Sequence, residues 1–227
     1  MTAPTRRPGR PRGAQQDPAV RRAALLAAAE DAIARYGATV SMEQIAATAD
    51  VSKATLYDNF DGKAGLTEAL LDRYGLRVLQ EFAAGMTVPV TARQVVRGGI
   101  EIFVRAIESQ PEMYRFIVRN GDGGAVLADV AVPVAALIRS ELVGQGKDPV
   151  GADALAHATL GAVFTATEWW GVDQVPPREA FVDLLVDYVW AGFTGAGLED
   201  TGEPVDLAAV VQAIDAAMAN AAAHGAS

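Results

Sequence analysis

Apolar residues recur three and four positions apart along this chain, and from Thr91 onward no stretch alternates as a strand would. That spacing is the period of an α-helix. It predicts a first helix over 20–36, with Leu25, Ala29 and Ile33 (or Leu26 and Ile33) on one face, opened by Asp17-Pro18 and closed by Gly37. Two short helices follow. In the first, Met42, Ile45 and Ala46 point inward, and Ser41 with Gln44 three residues on forms a capping box. The second, from Lys53 to Asn59, starts behind Ser52, a good N-cap, and sets Leu56 and Phe60 four apart. Between them lies the turn Asp50-Val51-Ser52. Val51 is its one apolar residue and plugs the angle between the helices; Asp50 holds a place that favours positive φ, which Asp tolerates better than most non-glycine residues. Asp61-Gly62 breaks the chain, and Lys63 opens a long helix towards Phe82. Further helices are predicted over 91–109, 111–120, 123–145, 150–171, 177–196 and 205–223, separated by Gly- and Pro-bearing breaks. Pro133 is expected to kink one long helix rather than start a new one. The last segment either packs on the body or frays.

The pair of short helices leaves Lys53, Ala54, Thr55, Tyr57 and Asp58 facing outward, the pattern of a helix-turn-helix whose second helix enters the DNA major groove. Leu26-Ala27-Ala28-Ala29 through Tyr36-Gly37, then Ile45-Ala46, Val51-Ser52, Thr55-Leu56-Tyr57, Phe60 and Lys63-x-x-Leu66, resemble the N-terminal domain of TetR/AcrR-type transcriptional regulators over residues 20–70. The chain departs from that pattern with Asp50 for the usual glycine, Ala54 as the small residue after Ser52-Lys53, and Ala64 for the common Glu after Lys63. The resemblance implies an all-α fold in three parts: a flexible basic arm (1–18), a three-helix helix-turn-helix DNA-binding domain (19–66), and a helical effector-binding and dimerisation domain (67–227). Two-fold symmetry would then set two recognition helices in successive major grooves, about 34–36 Å apart.

Charge sharpens this picture. The net charge of −9 is wrong for a nucleic-acid binder until it is divided. Residues 1–77 carry 11 Lys and Arg against 9 Asp and Glu; residues 78–227 carry 8 against 19. A small DNA-facing end on an acidic body fits, and the acidic body helps orient the molecule on DNA. Six arginines fall in the first 25 residues. Arg10, at a Gly-Arg-Pro centre resembling an AT-hook, either lies in an A·T-rich minor groove or belongs to a tail attracted to phosphates without specificity.

On the outward face, Lys53 and Thr55 suit base edges: Lys donates to guanine, and the Thr methyl meets thymine; Ala54 sits between them. Ser52, Tyr57, Lys63, Thr39 and Ser41 suit phosphates. Lys63 opposes the macrodipole at a helix start, which favours a phosphate contact over a structural role. Asn59 either touches DNA or caps its helix. By resemblance, Tyr57 and Lys63 carry the most weight.

Helices 154–170 and 181–193 are apolar over more than one stripe, as buried helices are. In the resembled family such a pair joins its copy in a four-helix dimer bundle, with Leu160, Phe164, Tyr188 and Trp190 as interface residues; the alternative is one large core closed by the final helix. The resemblance also implies a small-molecule effector that enters the body and moves the long helix from Lys63. Phe103, Met113, Tyr114, Phe116, Phe164 and Trp169 are candidates to line its pocket, each equally able to be plain core. Glu168-Trp169-Trp170 reads as a ligand contact or an interface anchor. A mostly apolar effector, uncharged or weakly anionic, is expected.

Other chemistry is thin. The chain has no cysteine and two histidines, His157 and His224, of which His157 reads as a satisfied core or interface residue. No catalytic triad, metal-ligand motif or phosphate-cradling glycine loop appears. No cofactor or metal is expected. The longest run without Asp, Glu, Lys or Arg is the 14 residues Ala154–Thr167, short of a membrane span, and no signal peptide is visible, so a soluble cytoplasmic protein is expected. The reading is a ligand-responsive repressor binding a palindromic double-stranded DNA operator as a homodimer. The rivals are a helical enzyme and a DNA-binding architectural or activator protein without effector response.

Overall fold

The computed structural model describes residues 17–85, 90–121 and 123–205, with the isolated positions 208 and 212. Arg10 and most of the segment 205–223 therefore lie outside the described residues. Among the described residues every regular element is helical: α1 (Pro18–Tyr36), α2 (Met42–Thr48), α3 (Lys53–Phe60), α4 (Gly62–Gly85), α5 (Ala92–Ser109), α6 (Pro111–Asn120), α7 (Gly123–Gly144), α8 (Ala152–Asp173) and α9 (Arg178–Gly195). α7 runs through Pro133 as one helix. After α9 the chain returns to the start of α5, where Thr91 and Pro204 form a single bridge.

Local chemistry explains the starts of α1, α2 and α3. The Asp17 carboxylate accepts from the Ala19 N–H at 3.0 Å, and Pro18 occupies a first-turn position where no N–H is needed. Both halves of the capping box form at α2: Ser41 N–H donates to Gln44 Oε1 (2.8 Å), and Gln44 N–H to Ser41 Oγ (3.2 Å). Ser52 Oγ accepts from the Thr55 N–H at 3.0 Å to start α3. Asp50, in the turn, has φ 52°. Its short side chain makes it one of the few non-glycine types that enter the left-handed region readily.

The helices enclose two cores. The first joins Leu25 and Ile33 of α1, Ile45 of α2, Leu56 and Phe60 of α3 and Leu66 and Leu70 of α4 to Met113, Phe116 and Ile117 of α6. Val51 is half-buried against it. The second joins α5, α7, α8 and α9 through Val104, Ile138, Val163, Trp170 and Leu185. Trp170 stacks on Phe181 at 5.0 Å and donates from its indole N–H to the Pro176 carbonyl at 2.7 Å.

This packing reassigns two residues. Met113 and Phe116 read as pocket candidates in the sequence, but the structure places them in the first core, Phe116 with no exposure at all. Residues 113, 116 and 117 share one face of α6 by their 3–4 spacing. Tyr114 lies about 100° round the helix, where it meets Phe164 of α8 at 5.7 Å between ring centroids. α6 thus belongs to the first core and touches α8 of the body through the Tyr114–Phe164 ring contact.

Candidate nucleic-acid interface and effector body

α3 presents its outer face because its inner one is fully spent. Leu56 and Phe60 are buried, whereas Ser52, Lys53, Ala54, Tyr57 and Asp58 are exposed and Thr55 is half-buried. The helix is held from behind by Arg22 of α1, whose guanidinium donates to the Asn59 carbonyl at 2.5 Å and lies 4.6 Å over the Phe60 ring. Arg22 escaped the sequence reading, since nothing in the sequence ties it to a carbonyl 37 positions away.

Tyr57 is 42% exposed. Its ring lies against the start of α4, within 3.4 Å of where a Cβ on Gly62 would sit. Lys53 is not free. Its ammonium pairs with the Glu43 carboxylate on α2 and lies 5.5 Å over the Tyr57 ring. The bond to Glu43 raises the Lys53 pKa, and its counterpart lowers that of Glu43. A partner that competes with DNA for Lys53 should weaken binding. Glu43→Gln is therefore expected to tighten binding to duplex DNA about two- to fivefold in a gel shift at fixed salt, the range set by exposed ion pairs. An unchanged or weaker affinity would mean that Lys53 stays clear of DNA.

Of the remaining candidates, Thr39 is exposed and Ser41 half-buried in its cap. The Thr55 hydroxyl is 2.9 Å from Ser52 Oγ. Asn59 is half-buried and engaged in its own helix, donating from its side-chain amide to the Thr55 carbonyl at 2.7 Å, while the end of α3 is capped by Asp61. Lys63 is half-buried at the start of α4, its ammonium 5.3 Å over the Phe116 ring. It links α4 to α6.

Ionic ties brace this head. Glu30 of α1 pairs with Arg73 (3.0 Å) and Arg77 (2.6 Å) of α4. Glu112 of α6 accepts from the Ala38 N–H at 2.8 Å. That approach is possible because residue 37 is glycine: φ is 80° there, and a Cβ would come within 3.1 Å of the Glu112 carboxylate.

In the body, Phe103, Phe164 and Tyr114 form a chain of rings at 6.2 and 5.7 Å. The two tryptophans differ sharply in exposure within the single chain. Trp169, a pocket candidate, is 67% exposed, whereas Trp190, an interface candidate, is 7% exposed, edge-on to Phe193 under Arg93. Tyr188 and Leu184 take the outer face of α9 instead. Leu160 and Phe164 are half-buried. Ala158 and Ala162 of α8 and Tyr188, Ala191 and Gly192 of α9 line a shallow apolar groove. His157 is exposed, its Nδ1 2.8 Å from the Asp153 carbonyl oxygen of its own helix, so it is not a core residue. Among the described residues no group of acidic or histidine side chains is placed to hold a metal, and no helix is long and apolar enough to cross a membrane.

Two family models match the chain. Residues 25–70 match bacterial regulatory proteins of the tetR family, and residues 81–204 a tetracyclin repressor-like C-terminal domain. An uncharacterized HTH-type transcriptional regulator of Mycobacterium tuberculosis, Rv0472c, is 30% identical over 194 residues, which are 82% of this chain and 83% of that protein. The HTH-type transcriptional activator FasR of Mycolicibacterium smegmatis is 28% identical over 177 residues, 75% of this chain and 81% of its own. The crystal structure of a TetR-like transcriptional regulator from Rhodococcus sp. RHA1 aligns with a TM-score of 0.56 at 25% identity, covering 80% of this chain and 100% of that one.

Proposed function

The chain belongs to the TetR family, whose members are DNA-binding transcriptional regulators and not enzymes, and we propose that it is a homodimeric repressor released from a palindromic operator by a small molecule. The observation that carries the DNA half is the outer face of α3: Lys53, Ala54 and Tyr57 stand exposed on a helix whose opposite face is locked by Leu56, Phe60 and Arg22. Lys53, Thr55 and Ala54 read base edges. Tyr57, Ser52, Thr39, Ser41 and Lys63 set the register on phosphates. The head is residues 19–66 in chain order, the arm 1–18 with Arg10 adds minor-groove or phosphate contact, and the body is 67–227.

For the dimer, the support is an apolar stripe across α8 and α9. Ala180, Leu184, Tyr188, Ala191 and Gly195 follow each other at helical spacing, and Thr165, Trp169 and Val172 do the same on α8; all are exposed in the single chain. Exposed large apolar groups so aligned mark an interaction surface. For the effector, the support is α6, which reaches the head core with Phe116 and the body with Tyr114. A molecule lodged beside Tyr114 can favour a state in which α6 and α4 have moved and the two recognition helices no longer match successive grooves. A coupling of ~3 kcal/mol between effector and operator is enough for a change of about a hundredfold.

The test is selection of operator fragments by the full-length protein, followed by gel shift at several salt concentrations. A palindromic site bound by two copies is expected. Tyr57→Phe, which removes one hydroxyl and keeps the ring, should weaken every site about tenfold and leave sequence preference unchanged. Binding that is steeply salt-dependent with no preferred sequence would sink the specific-regulator reading in favour of an architectural one. One observation favours a second sign of action: FasR is named an activator. A promoter fusion that falls on deletion of the gene, rather than rises, would select activation.

A further inference from the structure

Two tyrosine hydroxyls in the interior have nothing to bond. Tyr74 of α4 and Tyr114 of α6 each bury their phenolic oxygen without a hydrogen-bond partner among the described residues. Tyr114 is 7% exposed. Native interiors rarely leave such groups unsatisfied, because a buried donor without an acceptor forfeits the bond it had in water. The same two positions occupied by Phe would pack equally well at no such cost. An unsatisfied pair, one on each helix that joins head to body, therefore suggests an acceptor that arrives from outside.

The surroundings define that acceptor. The Phe164 ring lies 5.7 Å from Tyr114, and Phe103 6.2 Å beyond it, so the neighbouring wall is aromatic. Burial raises the pKa of both phenols, and each feels further charge: Glu168 and the other phenol on Tyr114, Glu81 on Tyr74. Both stay neutral O–H donors under physiological conditions. The cation near Tyr74 is Arg77, which opposes the rise but is committed to Glu30 at 2.6 Å. An incoming carboxylate would meet Glu168 and Glu81 with no free cation to balance it among these groups, whereas a carbonyl oxygen, with two lone pairs, can take a bond from each phenol.

We infer that Tyr74 and Tyr114 form the polar subsite of the effector cavity and select a neutral, carbonyl-bearing apolar molecule over its hydrocarbon or carboxylate counterpart. This rests on the effector reading above and narrows it: the weakly anionic ligand that the sequence leaves open is disfavoured. It also gives the ligand a mechanical role, because the two phenols stand on α4 and α6 and a ligand held by both ties those helices together.

The experiment uses the full-length protein and two matched probe sets: benzophenone, diphenylmethane and diphenylacetate; and 2-undecanone, undecane and undecanoate. Binding is read by calorimetry, release by gel shift on the selected operator. At least one ketone should bind about tenfold or more tightly than both its hydrocarbon and its carboxylate. Tyr114→Phe and Tyr74→Phe should bring ketone and hydrocarbon to within about twofold. Without ligand, both variants should melt at or above the wild-type temperature, since an unsatisfied hydroxyl has been removed.

Several outcomes would overturn the subsite. The two variants melting lower would mean the hydroxyls are already satisfied inside the protein. No ketone binding better than its hydrocarbon, or a carboxylate matching its ketone, would remove the selectivity. Probes releasing DNA equally from wild type and Tyr114→Phe would keep the effector reading and remove this one. Tyr-dependent ketone binding that leaves the operator complex untouched would do the reverse.

Discussion

Phe116→Ala should destabilise the protein by about 3–5 kcal/mol and abolish operator binding, although residue 116 lies well beyond the helix-turn-helix in sequence. The ring is fully buried and shares a core with Leu25, Ile33, Leu56, Phe60 and Leu70, the residues that hold α1, α3 and α4 together. The Lys63 ammonium also rests 5.3 Å over it. Truncation leaves a cavity at the junction of α1, α4 and α6 and takes the aromatic face from under Lys63. Two losses follow from one substitution: stability, because the cavity cannot fully collapse, and affinity, because α4 sets where Lys63 stands and how α3 is propped. Urea unfolding followed by gel shift on the same samples would measure both. If the midpoint and the affinity both hold, α6 is not part of the head's core. An equal truncation on the body side, Phe103→Ala, serves as the comparison: its ring is half-buried beside Phe164, so it should lower stability less and leave affinity for the operator largely intact.

Gly65→Ala should be nearly as damaging, for a reason that has no counterpart in hydrophobicity. α3 ends at Phe60, Asp61 turns the chain with φ 51°, Gly62 with φ 88°, and α4 begins at once. This brings the second turn of α4 against the end of α3, and a Cβ on residue 65 would collide with the Phe60 carbonyl oxygen. That oxygen is backbone and cannot swing aside. The clash is relieved only by shifting α3 against α4, which tilts the presented face of Lys53 and Tyr57. A loss of about 3 kcal/mol is expected, at the upper end for overpacking, with a fall in operator affinity beyond what the stability loss explains. Gly75 supplies the internal control. It lies in the same helix with nothing within 4 Å of its own would-be Cβ, so Gly75→Ala should be neutral or stabilise by up to about 1 kcal/mol through helix propensity. Comparable midpoints for the two alanine variants would refute the close-approach account.

Much of the head was legible from the chain alone, and the particular residues show why. The capping box of Ser41 and Gln44, the Ser52 cap, the inward pair Leu56 and Phe60 and the positive φ at Asp50 all rest on relations within a few positions. Within that distance the helix period and the geometry of a single turn decide which atoms meet, so a residue's type and offset are sufficient. The bounds of α5 to α9 fall within two residues of the predicted segments for the same reason. Asn59 sits at the limit of this regime. Its side chain bonds the Thr55 carbonyl four residues back, inside the helix, and the cap itself falls to Asp61.

What tertiary structure decided was which neighbour each face received. α6 carries apolar residues on two faces, and its periodicity says nothing about which face meets which core; packing gave Met113, Phe116 and Ile117 to the head and left Tyr114 to Phe164. In α8 and α9 almost every face is apolar, so the pattern that marks a buried side has no contrast, and only packing showed that Trp190 is buried and Trp169 exposed in the single chain. The pairing of Lys53 with Glu43, the Glu112 bond to Ala38 and the two orphaned hydroxyls each depend on the relative placement of separate helices. By itself, then, the sequence determined the elements, their caps and the face that α3 turns outward, because those are short-range consequences of the chain's own geometry. The identity of the shared core and the polar chemistry between helices came only with the fold, because they are set by contacts between segments whose separation in sequence carries no information about their distance in space.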